Sequence, residues 1–131
     1  MRALVIDDSK VIRAILRGIL EKAGFEVAEA CNGREALQRL EQLGPTELAL
    51  VDWNMPEMDG LSFVKAVRAE PRHAGLRLML VSTENEQARL SAALEAGADE
   101  YVMKPFSREV ILEKLELLGL GQNNCEPARL K

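Results

Sequence analysis

The chain has very little of several things. Its 131 residues include one histidine, one tryptophan, one tyrosine and two cysteines. A single histidine excludes a site built from clustered imidazoles. Cys31 and Cys125 lie far apart and outside any CxxC or Cys/His spacing, which argues against a zinc centre or a redox pair. Both are expected to be free thiols in a cytosolic chain. No apolar run approaches the ~20 residues of a membrane span, and the N-terminus has no signal-peptide pattern. A chain that starts directly on a strand, MRALVID, is expected to be cytoplasmic and not inserted in a membrane. Positive charge is also in short supply. With 17 Lys and Arg against 21 Asp and Glu, the net charge is −4, and no basic stripe marks a nucleic-acid surface.

What remains is 47% hydrophobic and 29% charged, the composition of one globular domain with a sizeable core. Periodicity predicts strand and helix in alternation, five times over. Strands are expected at 2–7, 25–30, 47–52, 76–82 and 100–103. Helix one follows Ser9 as N-cap, carries the stripe Val11, Ile12, Ile15, Leu16, Ile19 and Leu20, and stops at Gly24. Helices are further expected at about 34–43, 60–69, 85–96 and 107–118, with a loop over 70–75. The stripe of helix four is thin and alanine-rich: Ala88, Leu90, Ala92, Ala93 and Leu94. Residues 119–131 have no apolar period and are expected to form a flexible tail after a domain spanning 1–118. Strict alternation implies an α/β fold: a parallel sheet covered on both faces with right-handed crossovers.

In such a sheet, ligands bind at the carboxyl ends of the strands. The sequence puts its polar residues there. Asp7 and Asp8 close strand one, Asp52 closes strand three, Ser82 closes strand four, and Lys104-Pro105 follows strand five. Carboxylates that converge repel each other unless a cation joins them, and Mg²⁺ takes oxygen ligands of this kind. Acids holding a metal, with a lysine and a hydroxyl nearby, suit phosphoryl transfer. Asp52 stands alone on the central strand and is the candidate nucleophile, forming an aspartyl phosphate. Lys104 would pair with a phosphoryl oxygen, and Ser82 would donate a hydrogen bond to another.

The motifs VIDDS (5–9), LVDWNMPEMDG (50–60), VST (81–83) and GADEYVMKPFS (97–107) together resemble the receiver domain of two-component response regulators, specifically the stand-alone, CheY-like chemotaxis type. The resemblance covers about residues 2–118. It implies a doubly wound, five-stranded parallel sheet with five helices in the flavodoxin-like order 2-1-3-4-5, an order for which CheY itself is a standard example. It further implies that Asp52 accepts a phosphoryl group from a histidine kinase. Mg²⁺ would be held by Asp7, Asp8, Asp52 and the main-chain carbonyl of Asn54. Ser82 and Tyr101 would be switch residues, and Lys104-Pro105 a cis peptide. A face made of helix four, strand five and helix five would meet a downstream protein, such as a flagellar motor component or a kinase complex. Thr83, where many relatives carry a smaller residue, and Asn54 and Glu84 are expected to tune phosphoryl lifetime.

Other residues are set aside. His73 lies in a Pro/Gly-flanked loop away from the acids, so the phosphodonor histidine is expected on another protein. Met55, Met58, Met79 and Met103 are soft groups suited to packing beside hard oxygen chemistry. Trp53 reads as a turn residue useful as an optical reporter. Two other functions compete. A haloacid-dehalogenase-like phosphatase would need a D-x-D pair that Asp7-Asp8-Ser9 does not supply. The second is the receiver fragment of a larger regulator, such as a transcription factor; residues 119–131 are themselves too short for a DNA-binding domain and hold two basic side chains, Arg129 and Lys131.

Overall fold

A computed structural model describes residues 1–53, 58–82 and 90–120. Five strands, β1 (Arg2–Ile6), β2 (Glu26–Ala30), β3 (Leu48–Asp52), β4 (Arg77–Ser82) and β5 (Glu100–Met103), form one parallel sheet in the order β2-β1-β3-β4-β5. The helices are α1 (Lys10–Lys22), α2 (Gly33–Leu43), α3 (Gly60–Arg68), α4 (Leu90–Ala96) and α5 (Arg108–Leu117). The doubly wound topology is the expected one. No helix among the described residues is long and apolar enough to cross a membrane.

Every residue of β3 is buried, as it must be for a central strand covered on both faces. Side chains alternate between two cores. On one face Leu4, Ile6, Ala49, Val51, Leu78 and Leu80 meet Phe63, Val64 and Val67 of α3, with Leu40 of α2 and Ala93 of α4. On the other, Val5, Leu48, Leu50, Met79, Val81 and Val102 meet Leu16 and Leu20 of α1 and Ile111 and Leu115 of α5. The sheet thus separates α2, α3 and α4 from α1 and α5.

Local chemistry sets the helix starts. Ser9, Asn32, Asp59 and Ser107 each accept a main-chain N–H of the first turn. At α2 the capping is two-way: Asn32 Oδ1 accepts the N–H of Glu35 at 2.8 Å, and Glu35 Oε1 accepts the N–H of Cys31 at 2.6 Å. Some expectations need correction. The loop over 70–75 contains a 3₁₀ turn, Pro71–His73, with Pro71 at its first position. The stripe of α1 is wider than its packed face: Val11 and Ile15 are exposed, at 67% and 46%. In α4, Leu90 and Ala93 are buried but Ala92 and Leu94 are exposed. Ala88, the expected start of helix four and the tail from 121, including Cys125, lie outside the described residues.

α3 is tied to the α4–β5 connection by Arg68. Arg68 donates to the carbonyls of Gly97 (2.9 Å), His73 (3.0 Å) and Leu76 (2.7 Å) and to Asp99 Oδ2 (2.9 Å). Gly97 has φ +126°, and a Cβ there would lie 2.5 Å from Arg68 Cγ. That carbon cannot swing away while its guanidinium is held at several points. Gly97→Ala is therefore expected to destabilise the fold by about 1–3 kcal/mol in urea unfolding. Gly18, on the exposed side of α1 with nothing within 4 Å of a built Cβ, should behave oppositely. Gly18→Ala is expected to add about 0.5–1 kcal/mol. A Gly97→Ala variant as stable as wild type would contradict the clamp.

Candidate functional site

Asp52 is the last residue of β3, and Asp7 follows directly after β1, its neighbour in the sheet. Parallel strands bring their C-terminal ends to one edge, so the two carboxylates meet there although 45 positions separate them in sequence. Both are buried, at 1% exposure for Asp7 and 5% for Asp52, whereas Asp8 is exposed. One oxygen from each of Asp7, Asp8 and Asp52 lies within 4.8 Å of the others.

The β1–α1 turn fixes Asp7 from several sides. Its Oδ1 accepts the N–H of Ser9 at 2.8 Å, and its main-chain N–H extends the ladder to Ala30 O at 3.1 Å. Its carbonyl accepts Arg13 Nη1 at 2.6 Å. Arg13 in turn pairs with Glu29 of β2 at 2.9 Å, and Arg17 pairs with the other oxygen of Glu29 at 2.6 Å. Hydrogen bonds from Arg17 and then Arg13 hold the Glu29 carboxyl below its ordinary range. The acid-bearing turn is thus tied to α1 and β2 by an ion-pair network.

Lys104 supplies the positive charge. Its Nζ is 3.1 Å from Asp52 Oδ1 and 3.9 Å from Asp7 Oδ2. Its main-chain N–H donates to Ser82 O at 2.7 Å, which carries the β4–β5 pairing one residue further, and the Lys104-Pro105 peptide is cis. Among the described residues this one ammonium faces three carboxylates. Asp7 Oδ2 is buried with no hydrogen-bond partner. Burial pushes the Asp7 carboxyl above its ordinary range, against the Ser9 hydrogen bond and Lys104, with Asp8 adding to the rise. The donor set is all carboxylate oxygen, the ligand class of a hard divalent cation, and the orphaned oxygen is an acceptor such an ion would satisfy. The residues fit Mg²⁺.

Ser82 is fully buried beside this edge, and its hydroxyl donates to Met103 Sδ at 3.8 Å. Tyr101 is half-buried on β5, packed on the α3–α4 side of the sheet and apart from the carboxylates. His73 is half-buried in the 3₁₀ turn that precedes β4, at the opposite end of the strand from Ser82. Asn54, Thr83 and Glu84 lie outside the described residues.

Two residues matter more than the sequence suggested. Trp53 is no incidental turn residue. It is 3% exposed in the α2–α4 core, its N–H donates to Val81 O at 2.9 Å, and its carbonyl accepts Gly60 N–H at 3.0 Å. A Cβ on Gly60 would lie 3.1 Å from Trp53 Cα, so that glycine lets α3 close against the strand end bearing Asp52. The available signal was a tryptophan and a glycine bracketing the β3–α3 connection. Arg13 had no such signal, because in sequence it is one more basic residue on an amphipathic helix.

The family model for the response regulator receiver domain matches residues 3–116. The chain is 42% identical over 125 residues to the chemotaxis protein CheY1 of Helicobacter pylori, covering 95% of this chain and 100% of that protein. It is 42% identical over 123 residues to a chemotaxis protein CheY homolog of Campylobacter jejuni, covering 92% and 95% respectively. Its fold superposes on the solved chemotaxis protein CheY4 of Vibrio cholerae with a TM-score of 0.83 at 33% identity, covering 89% and 97%.

The buried, under-compensated Asp7 makes a stability prediction. In metal-free buffer near neutral pH, Asp7→Asn is expected to raise the unfolding free energy by about 1–2 kcal/mol, because it removes a buried ionised oxygen that has no hydrogen bond and only a distant ammonium at 3.9 Å. Lys104 keeps Asp52. The sign of the pH effect follows from the raised folded pKa. Asp7 favours the fold fully below its ordinary value of 3.8, and that contribution is lost as pH rises through the higher folded value. The wild-type-minus-variant difference should therefore fall with rising pH across that window. A variant less stable than wild type at neutral pH would contradict this charge balance.

Proposed function

The chain belongs to the response regulator receiver domain family and is of the CheY type, and from that membership we propose that it is a stand-alone phosphoacceptor switch in chemotaxis signalling. A histidine kinase would supply the phosphoryl group, Asp52 would accept it, and a protein partner would read the result. The observation that carries this reading is a buried aspartate at the end of the central strand. It has a lysine 3.1 Å away and two more carboxylates within 4.8 Å. The span of the family match, residues 3–116, supports a receiver domain over 1–118, with 119–131 read as a tail.

In the proposed reaction an Asp52 oxygen attacks phosphorus on the phosphorylated histidine of the kinase. A P–O bond forms as the P–N bond breaks. The imidazole leaves with the electron pair and takes up a proton. Asp7, Asp8 and Asp52 would hold Mg²⁺, together with the expected main-chain carbonyl of Asn54, and its charge would offset the carboxylates and the phosphoryl oxygens. Lys104 exchanges its contact with Asp52 for one with a phosphoryl oxygen. Ser82 gives up its weak sulfur contact and donates to another oxygen, a far better acceptor than a thioether. The space vacated beside β5 admits the Tyr101 ring, which biases the surface formed by α4, β5 and α5 toward its partner-binding form. Thr83 and Glu84 would set how readily water reaches the acyl phosphate. Turnover of external substrates has no part in this reading; the chain acts only on its own Asp52.

The test is intact-mass analysis of the full chain with acetyl phosphate and Mg²⁺. A single added phosphoryl group is expected, absent with EDTA and absent in Asp52→Asn. Lys104→Met should slow its appearance by about a hundredfold, the usual cost of losing one charged stabiliser of a transferring group. Mass gain that persists in Asp52→Asn, or rapid hydrolysis of an external phosphoester, would sink the proposal.

A further inference from the structure

The Tyr101 ring is held by groups outside the acidic site. β5 is the outer strand of the sheet, so one of its long edges is unpaired among the described residues. Along it Tyr101 and Met103 pack on the α3–α4 side, while Val102 packs on the α1–α5 side. Lys114 belongs to α5, on the far side of the sheet from the ring. Its Nζ nevertheless lies 5.1 Å from the centroid of the Tyr101 ring. To do so the side chain passes around the open edge of β5.

Glu100 keeps it there. Glu100 Oε1 lies 3.2 Å from Lys114 Nζ and also accepts the main-chain N–H of Tyr101 at 3.0 Å. The ammonium is therefore shared between a π face and a carboxylate, and that carboxylate is anchored to the backbone of the residue bearing the ring. Side-chain exposures of 25% for Lys114 and 20% for Glu100 mean that both charges are partly withdrawn from water. Such an arrangement counts for more than an isolated surface ion pair. Moving the ring requires either losing the cation from its face or pulling the ammonium away from Glu100.

We infer that Lys114 and Glu100 form an electrostatic latch that holds the Tyr101 ring in its resting position and sets how much of the switched form exists before phosphorylation. The inference rests on the reading of Tyr101 as a switch residue given above and assigns the resting bias of that switch to two residues remote from the phosphoacceptor. Neither residue touches the reacting groups. Both are positioning residues.

The chain has one tyrosine, so the full-length protein labelled with meta-fluorotyrosine gives a single ring signal in fluorine NMR. Mg²⁺ with beryllofluoride, a phosphoryl mimic, defines the signal of the displaced ring. Without that mimic, Lys114→Met is expected to raise the displaced population about threefold, Lys114→Arg to leave it near wild type, and Glu100→Gln to raise it less. Salt at ~1 M should move wild type toward Lys114→Met while leaving that variant unchanged. A purely structural contact would alter unfolding midpoints without this ordered, salt-sensitive change in ring population. A ring that moves with the mimic but ignores Lys114→Met and salt overturns the latch alone. A wild-type ring that stays in place when Trp53 fluorescence reports that the mimic has bound removes the switch role from Tyr101, and the latch falls with it.

Discussion

Confining like charges at the C-terminal edge of a parallel sheet is the constraint on which this protein depends. Asp7 and Asp52 are almost wholly buried, Asp8 stands beside them, and Lys104 is the cation seen to reach two of them. Among the described residues that one ammonium faces three carboxylates, and Asp7 Oδ2 has no hydrogen bond. A site built this way is under strain until more positive charge arrives. Such an imbalance suits a divalent cation, which takes carboxylate oxygens as ligands. It is tolerable energetically because the surrounding fold is over-determined.

Most of that determination comes from the two cores on either side of the sheet. β1, β3 and β4 have buried side chains on both faces, so Asp7 and Asp52 are placed by strands that cannot slip without exposing their apolar sets. Main-chain bonds then extend order into the connections: Trp53 to Val81, Gly60 to Trp53, and Lys104 to Ser82. The Arg13–Glu29–Arg17 network ties the Asp7 turn to its neighbours in a comparable way. By contrast, Ser82 has a sulfur as its hydroxyl partner and Tyr101 has a cation. The sulfur contact of Ser82 is the weaker of the two, since a thioether is a poor acceptor.

Much of this was legible in the sequence, for a physical reason. Short apolar runs ending in Asp, and a first helix opened by Ser9 and closed at Gly24, are local signals, and they marked the alternation and the location of the acids. The strand order came with the family resemblance, since periodicity does not say which strands are neighbours. What the sequence hid were contacts between side chains far apart in the chain. Arg13 bonding to the Asp7 carbonyl, Arg68 closing on Gly97, and Lys114 reaching around β5 each depend on a tertiary path that spacing does not encode. The packing of Trp53 was equally hidden: it stands in a bend, yet Gly60 makes room for it in the core. The α1 stripe misled in the other direction: an apolar period marks what can be buried, and Val11 and Ile15 are left facing out.

Calorimetric titration of Mg²⁺ into the metal-free full chain, beside Asp7→Asn and Asp52→Asn, tests the charge imbalance most directly. A single ion per chain is expected, with affinity falling by about tenfold or more in each variant. Absence of binding in wild type, or affinity indifferent to neutralising Asp7, would mean that the buried acids are balanced within the protein and that the site is not built around a cation.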